Sequence, residues 1–512
     1  MKKRLPFWFL ILLIIFTGCT EKLKPTQLSA KPNFIYILAD DLGYGDVSVY
    51  NPGEKITTPN IDRLAESGMR FTDAHSPSSV CTPTRYSILT GQYCWRSRLP
   101  QGVLSGYGRA LIEGKQQTVA TMLKEQGYST AVVGKWHLGL DWVVKEGRES
   151  ALKIPDDIPN GARILTTMNP DDIDFTQPPT DGPLKHGFDY SYILPASLDM
   201  EPYCYLENDT LVELPTGYTE GNDLNTGYTG AFWRGGLMSP GFDFEQVLRE
   251  FTAKAENYIR QKKDTKNPYF LYFAMPAPHT PWMPTEEFHG SSQAGDYGDF
   301  VTMVDAMVGR ILDALFESGQ ENNTVVILTS DNGPYWRPAF VEKYDHRAAY
   351  IYRGMKADAW DGGHRIPFMV RWPGHVQPGS ISNATTTLAN LMATTAGITG
   401  VGSDQVHGED SYSILPVLLG ETDKVPVQDA VIHHSSKGIF AIRYGDWKLI
   451  EGLGSGGFSE PVFYEPKPGE ALGQLYNLKT DPSETVDLYL KEPEIVKNLT
   501  LKLDSIKNLN HK

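Results

Sequence analysis

Asn33-Phe34-Ile35-Tyr36-Ile37-Leu38-Ala39 runs straight into Asp40-Asp41. A β-rich run with no polar alternation suits a strand buried on both faces, as in a parallel sheet. Carboxylates at its end stand where such a sheet presents its ligand-binding edge. The pattern recurs three times. Ser129-Thr130-Ala131-Val132-Val133 leads to Gly134-Lys135-Trp136-His137, Tyr269 to Ala274 leads to Pro276-Ala277-Pro278-His279, and Thr324 to Ser330 leads to Asp331-Asn332-Gly333. Helical stripes lie between these runs. Val247, Leu248, Phe251, Ala255, Tyr258 and Ile259 form one, and Phe300, Met303, Val304, Met307, Val308, Ile311, Leu312 and Leu315 a second. Strands alternating with helices predict an α/β sandwich around a large, mixed, mostly parallel sheet, with all four polar clusters at one edge.

Working outward, the stretch from about Asp141 to Trp233 is rich in proline and poor in periodicity, and reads as a loop-rich insertion that shapes the substrate site. Beyond about Val425 the pattern changes to short strands around Val431, Gly438–Arg443, Trp447–Ile450 and Leu475–Leu478, then a helix over Glu494–Ile506. The expected organisation is a catalytic domain over 32–425 and a small C-terminal α+β domain over 426–512 with a short antiparallel sheet.

The start of the chain, MKKRLPFWFLILLIIFTGCT, has a basic opening and an apolar run from Phe7 to Phe16. That run is shorter than the roughly 20 residues a spanning helix needs, so it reads as a signal peptide over 1–18. Thr17-Gly18-Cys19 resembles a bacterial lipobox, with Phe16 where leucine is usual. The resemblance implies lipidation of Cys19, a tether over 19–31, and an exported, membrane-anchored lipoprotein of the periplasm or cell surface. Cys81, Cys94 and Cys204 then remain, an odd number in an oxidising compartment. Cys81 is expected to stand apart; whether Cys94 and Cys204 pair is left open. A net charge of −15 argues against a general nucleic-acid binder, without excluding an anionic substrate.

Asp40, Asp41, Asp331 and Asn332 offer hard oxygen ligands at two strand ends, a set that suits Ca²⁺ before Mg²⁺. Arg85, Lys135 and Lys356 add cations, and His137 and His279 add proton carriers. If these converge, the pocket is positive once the metal is counted and fits a tetrahedral oxyanion ester. Cys81-Thr82-Pro83-Thr84-Arg85 followed by Thr90-Gly91 resembles the C-x-P-x-R…T-G signature of type I sulfatases. The likeness extends through Asp40-Asp41-Leu42-Gly43, Gly134 to Gly139, Ser330 to Gly333, and Leu475-Tyr476-Asn477-Leu478 with Asp481-Pro482. It implies an alkaline-phosphatase-like fold.

The resemblance also implies that a formylglycine-generating maturation enzyme, reading Pro83 and Arg85, oxidises Cys81 to Cα-formylglycine. The hydrated aldehyde has two hydroxyls on one carbon: one attacks sulfur, and the other lets sulfate leave by C–O cleavage. Carried over residue by residue, Asp40, Asp41, Asp331 and Asn332 hold Ca²⁺, with residue 81 near the ion. Lys135 and Lys356 bind the sulfate oxygens, Arg85 orients residue 81, His137 acts as base on the hydrate, and His279 is the general acid. The chain departs from the family at Ala357, commonly glycine, and at Asp361, commonly glutamate, which puts the placement of Lys356 in question.

Pro183 to Asp189 and Tyr297-Gly298-Asp299 resemble the branch containing arylsulfatase A and N-acetylgalactosamine-6-sulfatase. This implies an exo-acting carbohydrate sulfatase on 6-O-sulfated galactose or N-acetylgalactosamine, from a glycosaminoglycan, mucin or algal galactan. Trp282, Tyr335, Trp336 and Trp360 are candidates for stacking on the sugar. The competing readings are a phosphonate or phosphodiester hydrolase of the same superfamily, a sulfatase for another glycan linkage, and a glycan-binding lipoprotein without activity. The last would need a broken catalytic set, and every member is present.

Overall fold

Successive side chains of a strand point to opposite faces, so a run apolar at every position needs cover on both. In the computed structural model, which describes residues 31–52, 55–152, 164–165, 168–222, 230–421 and 428–509, strand β1 (Asn33–Ala39) meets that condition. Phe34, Tyr36 and Leu38 enter one hydrophobic core, and Ile35, Ile37 and Ala39 enter the other. β2 (Ser129–Lys135), β3 (Tyr269–Ala274) and β4 (Thr324–Ser330) complete the centre of the sheet in the order β4-β1-β3-β2, all parallel. The register sets Ala39 beside Ser330, Leu38 beside Ala274, and Ala274 beside Gly134. The residues that follow each strand therefore emerge at one level.

The whole sheet has ten strands. Antiparallel partners flank its parallel centre: Phe368–Arg371 against β4, and Leu206–Glu207 against Tyr190–Leu194. The fold class is the expected one, a large, mixed, mostly parallel sheet in an α/β sandwich. Within the stretch read as a loop-rich insertion, Tyr190–Leu194 is a strand the sequence reading did not single out, and it runs parallel to β2 inside the main sheet. The helices Val247–Gln261 and Gly295–Glu317 bury their predicted stripes in the second core, with Leu312 only partly covered. A helix beginning at Cys81, α1 (Cys81–Thr90), lies wholly buried on the first-core side.

Four short antiparallel strands, Val431–His434, Phe440–Tyr444, Trp447–Ile450 and Gln474–Asn477, form the C-terminal sheet, closed by the helix Pro493–Lys507. The expected boundary near 425, the expected signal peptide, Cys19 and all of the expected tether but Lys31 lie outside the described residues. Among the described residues, no helix is long and apolar enough to cross a membrane.

This sheet braces the main α/β sandwich at two points. The Ser79 N–H donates to His434 O at 3.2 Å, just ahead of Cys81, and the Ser436 N–H donates to Ala357 O at 2.9 Å, next to Lys356. Behind these contacts lies a buried charge network. Lys448 Nζ stands 2.8 Å from both Asp361 Oδ1 and Glu484 Oε1, and Arg365 Nη2 is 2.8 Å from Asp361 Oδ2. Asp361, the second departure from the family pattern, therefore belongs to this brace.

Removing one partner from a buried ionic group leaves the others uncompensated. Lys448→Met is expected to cost about 3 kcal/mol of stability, seen as a lower midpoint in urea unfolding. Lys479→Met, which removes only an exposed ion pair, is expected to shift stability by less than about 0.5 kcal/mol.

Candidate active site

Each ionised carboxylate that leaves water needs a countercharge. Asp40, Asp41 and Asp331 sit just past the ends of β1 and β4, all buried, and each has one. Arg85, on the second turn of α1, holds Asp331 Oδ2 through Nε at 3.0 Å and Nη2 at 2.8 Å. Its Nη1 donates to Lys135 O at 3.0 Å, which ties the helix to β2. Lys135 Nζ lies 2.5 Å from Asp40 Oδ2 and 3.1 Å from Ser197 Oγ. Lys356 Nζ lies 2.7 and 2.9 Å from the two oxygens of Asp41 and 3.5 Å from Cys81 Sγ.

Burial and then the neighbouring Asp40 carboxylate push Asp331 up to about 7. Burial also works to raise Asp40, but Lys135, with smaller help from His279, Arg85 and Lys356, holds it well below the usual carboxylate range. Burial pushes the Cys81 thiol up to about 12. The unmodified side chain at position 81 is therefore a neutral thiol, not a thiolate nucleophile.

The two histidines differ in how they are held. His137 Nε2 lies 2.7 Å from Leu104 O, so Nε2 carries the proton and donates it to that carbonyl. Nδ1 is buried without a hydrogen-bond partner and keeps its lone pair. Burial, then the charges of Lys135 and Arg85, hold this ring well below the usual histidine range, which keeps it neutral. His279 Nδ1 lies 2.6 Å from Thr280 O and 3.4 Å from Ser197 Oγ, and its Nε2 faces Asp41 Oδ2 at 3.8 Å.

Asn332 Nδ2 donates to Asp41 Oδ1 at 2.6 Å, while its Oδ1 is buried with no donor. An oxygen left bare beside three carboxylates is what a hard cation would complete. Ligand atoms of Asp40, Asp41, Cys81 and His279 all lie within 4.8 Å of one another. The residues present fit a calcium ion.

A cavity of about 70 Å³ lies against the cluster, lined by Asp41, Cys81, His137, His279 and Lys356, with Ser197, Asp199, Arg234, Tyr335 and Phe458 among the rest of its wall. Arg85, Lys135, Asp331 and Asn332 stand behind it. Every described site residue expected from the sequence is thus in one cluster; Cys19 lies outside the described residues. Ser197 and Asp199 were missed because their segment was read as a loop-rich insertion with no residues singled out, and Arg234 lies just past its end. A signal was available: Tyr190-Ser191-Tyr192-Ile193-Leu194 also ends in polar residues, Ser197 and Asp199. Of the four candidate stacking aromatics, Tyr335 lines the cavity. Trp282 and Trp336 pack in the second core, and Trp360 lies under the Arg353 guanidinium. Cys94 and Cys204 are free and buried.

The chain belongs to the sulfatase family, whose model matches residues 32–401. Its relatives place it in the arylsulfatase A and N-acetylgalactosamine-6-sulfatase-like branch of type I sulfatases. It is 33% identical to an N-acetylgalactosamine-6-O-sulfatase of Bacteroides thetaiotaomicron, over 96% of this chain and 97% of that protein. It is 30% identical to human arylsulfatase A, over 89% of this chain and 83% of that one. A solved structure from the same Bacteroides species, from a core locus for metabolism of multiple glycosaminoglycans, superposes with a TM-score of 0.76 at 32% identity. That match covers 94% of this chain and 100% of the other. The family uses formylglycine and Ca²⁺.

If the bare oxygens await a cation, Ca²⁺ added to chelator-treated protein is expected to raise its Tm. At 100 times the Kd the gain is about 2.7 kcal/mol. Asn332→Ala is expected to need more Ca²⁺ for the same rise, measured by scanning calorimetry across a Ca²⁺ series. Equal Ca²⁺ requirements in the two proteins would remove Asn332 from the ligand set.

Proposed function

We propose that this sulfatase releases inorganic sulfate from a 6-O-sulfated galactose or N-acetylgalactosamine at the end of a glycan chain, with Cys81 converted to formylglycine. The observation that carries the reading is the full-length similarity to an N-acetylgalactosamine-6-O-sulfatase, joined to a cavity in which position 81, two histidines and Lys356 converge. A formylglycine hydrate at position 81 would supply the oxygen nucleophile. Calcium held among Asp40, Asp41, Asp331 and Asn332 would supply positive charge beside the ester.

The chain's own side chains account for the remaining needs of the reaction. Lys356, which lines the cavity 3.5 Å from Sγ of position 81, and Lys135 behind it bind the sulfate oxygens and favour the charge that builds on them in the transition state. Arg85 sits one turn along α1 from position 81 and fixes that helix to Asp331 and to β2. The bare Nδ1 of neutral His137 takes a proton at the cavity wall. His279 gives a proton from Nε2 to the departing sugar oxygen, while its Nδ1 is fixed on the Thr280 carbonyl. A buried, water-poor site strengthens each of these interactions.

We further propose, from the basic and apolar opening that ends in Thr17-Gly18-Cys19, that the enzyme is an exported lipoprotein anchored through Cys19, and that a formylglycine-generating enzyme matures it. Its substrates would then be glycans outside the cytoplasm.

The test is sulfate release from 4-O- and 6-O-sulfated galactose and N-acetylgalactosamine, using protein whose residue 81 is shown by mass to be converted. Release is expected from a 6-O-sulfated member and not from the 4-O-sulfated ones. Cys81→Ala is expected to lose at least 10³-fold, an order of magnitude set by removing a covalent nucleophile. Silence across the panel alongside turnover of an aryl sulfate would reject the sugar while keeping the chemistry.

A further inference from the structure

One acceptor in the cavity has no role in the reaction described above. Asp199 is 4% exposed and lines the cavity with Arg234. Its Oδ2 is paired with Arg234 Nη1. Its backbone carbonyl accepts from the Arg234 N–H at 3.2 Å and from Nη1 at 3.1 Å. Arg234 thus holds the carboxylate of Asp199 through Oδ2 and the backbone of the same residue through its carbonyl. Its other oxygen, Oδ1, is buried and has no hydrogen-bond partner.

Leaving a buried carboxylate oxygen without a donor is costly, so native structures seldom do it without a reason. The group is ionised. Burial alone would raise its pKa, but the charges of His279 and Arg234 outweigh burial and hold it below the usual carboxylate range. An ionised carboxylate only accepts. It cannot bind the sulfate group, which also only accepts, and it repels any second anion at that place. Water can donate to this oxygen in the resting enzyme, and the donor that replaces it when substrate binds comes from the uncharged part of the substrate.

We propose that Asp199, locked by Arg234, is a specificity-determining residue whose Oδ1 accepts a hydrogen bond from a ring hydroxyl of the sugar that bears the ester. The inference rests on the carbohydrate-sulfatase reading and deepens it. The cavity selects a sugar with a free hydroxyl at that point and rejects one that is sulfated or carries a carboxylate there. Ser197, two residues earlier, touches both Lys135 and His279. The segment 197–199 thus links the reacting end of the cavity to the part that reads the sugar.

The test compares kcat/KM on a 6-O-sulfated galactose sugar with kcat/KM on 4-nitrophenyl sulfate, which has no ring hydroxyl. Hydrogen bonds to charged groups set the scale at about 10- to 150-fold. Asp199→Ala is expected to lower the sugar-to-aryl ratio by that factor. Asp199→Asn keeps the shape, and its oxygen stays on Arg234, so an N–H₂ replaces the acceptor; its ratio is expected to fall about tenfold on the same scale. Wild-type enzyme is expected to lose a similar factor on either the 3-deoxy or the 4-deoxy sugar. Asp199→Ala is expected to treat that analogue and the parent sugar alike.

Equal losses on sugar and aryl sulfate in both variants would overturn the proposal, since that is what a purely structural role gives. So would a deoxy penalty that persists undiminished in Asp199→Ala. If wild-type enzyme turns over the aryl sulfate and no sulfated sugar, the carbohydrate reading itself falls, and the wild-type arm alone shows it.

Discussion

Three carboxylates buried at the carboxyl edge of one parallel sheet set the terms for the rest of the molecule. Their mutual repulsion and their loss of water must both be offset, and the sequence offsets them one by one: Arg85 on Asp331, Lys135 on Asp40 and Lys356 on Asp41. Each cation comes from a different place, a helix, a strand end and a loop beside the C-terminal sheet. Neutralising the acids therefore brings the three elements together. Three carboxylates stand close to the Asn332 oxygen that has no donor, which is a reason for a divalent ion to belong there.

Much of this was legible in the sequence because a buried parallel strand has a plain signature. β1 and β3 are apolar at nearly every position, β4 is apolar at its centre, and all three stop at chemistry. The reading lost Tyr190–Leu194 because Tyr and Ser break the apolar run and prolines surround it. With that strand went Ser197 and Asp199, whose importance lies in what they face. The tryptophans misled for the opposite reason. Trp282 and Trp336 are as large and as apolar as stacking residues, and only contacts show that they fill the core.

The departure at Ala357 has a backbone meaning that the family pattern only hinted at. Its φ is 76°, in the left-handed region where glycine costs nothing and alanine is strained by about 1 kcal/mol. The strain is held by neighbours. The Ala357 N–H donates to Ser79 O at 2.8 Å, and its carbonyl accepts from the Ser436 N–H. A small C-terminal sheet thus fixes the backbone on either side of the site, ahead of Cys81 and after Lys356, without contributing a charged group to the acid cluster.

The two-sided burial of β1 has a further bearing on evolution. In a sheet with one wet face, a one-residue slip is punished by turning apolar side chains to water. Here both faces are oily, so composition alone would tolerate the slip. Parallel strands rise about 3.3 Å per residue, and sliding β1 against β4 by one step would carry Asp40 past the reach of the cations that now hold it. Alignment of these strands is thus guarded by ion pairs as well as by greasy packing. Selection for turnover would at the same time be selection for strand alignment, and catalysis would act as the proofreader of the fold.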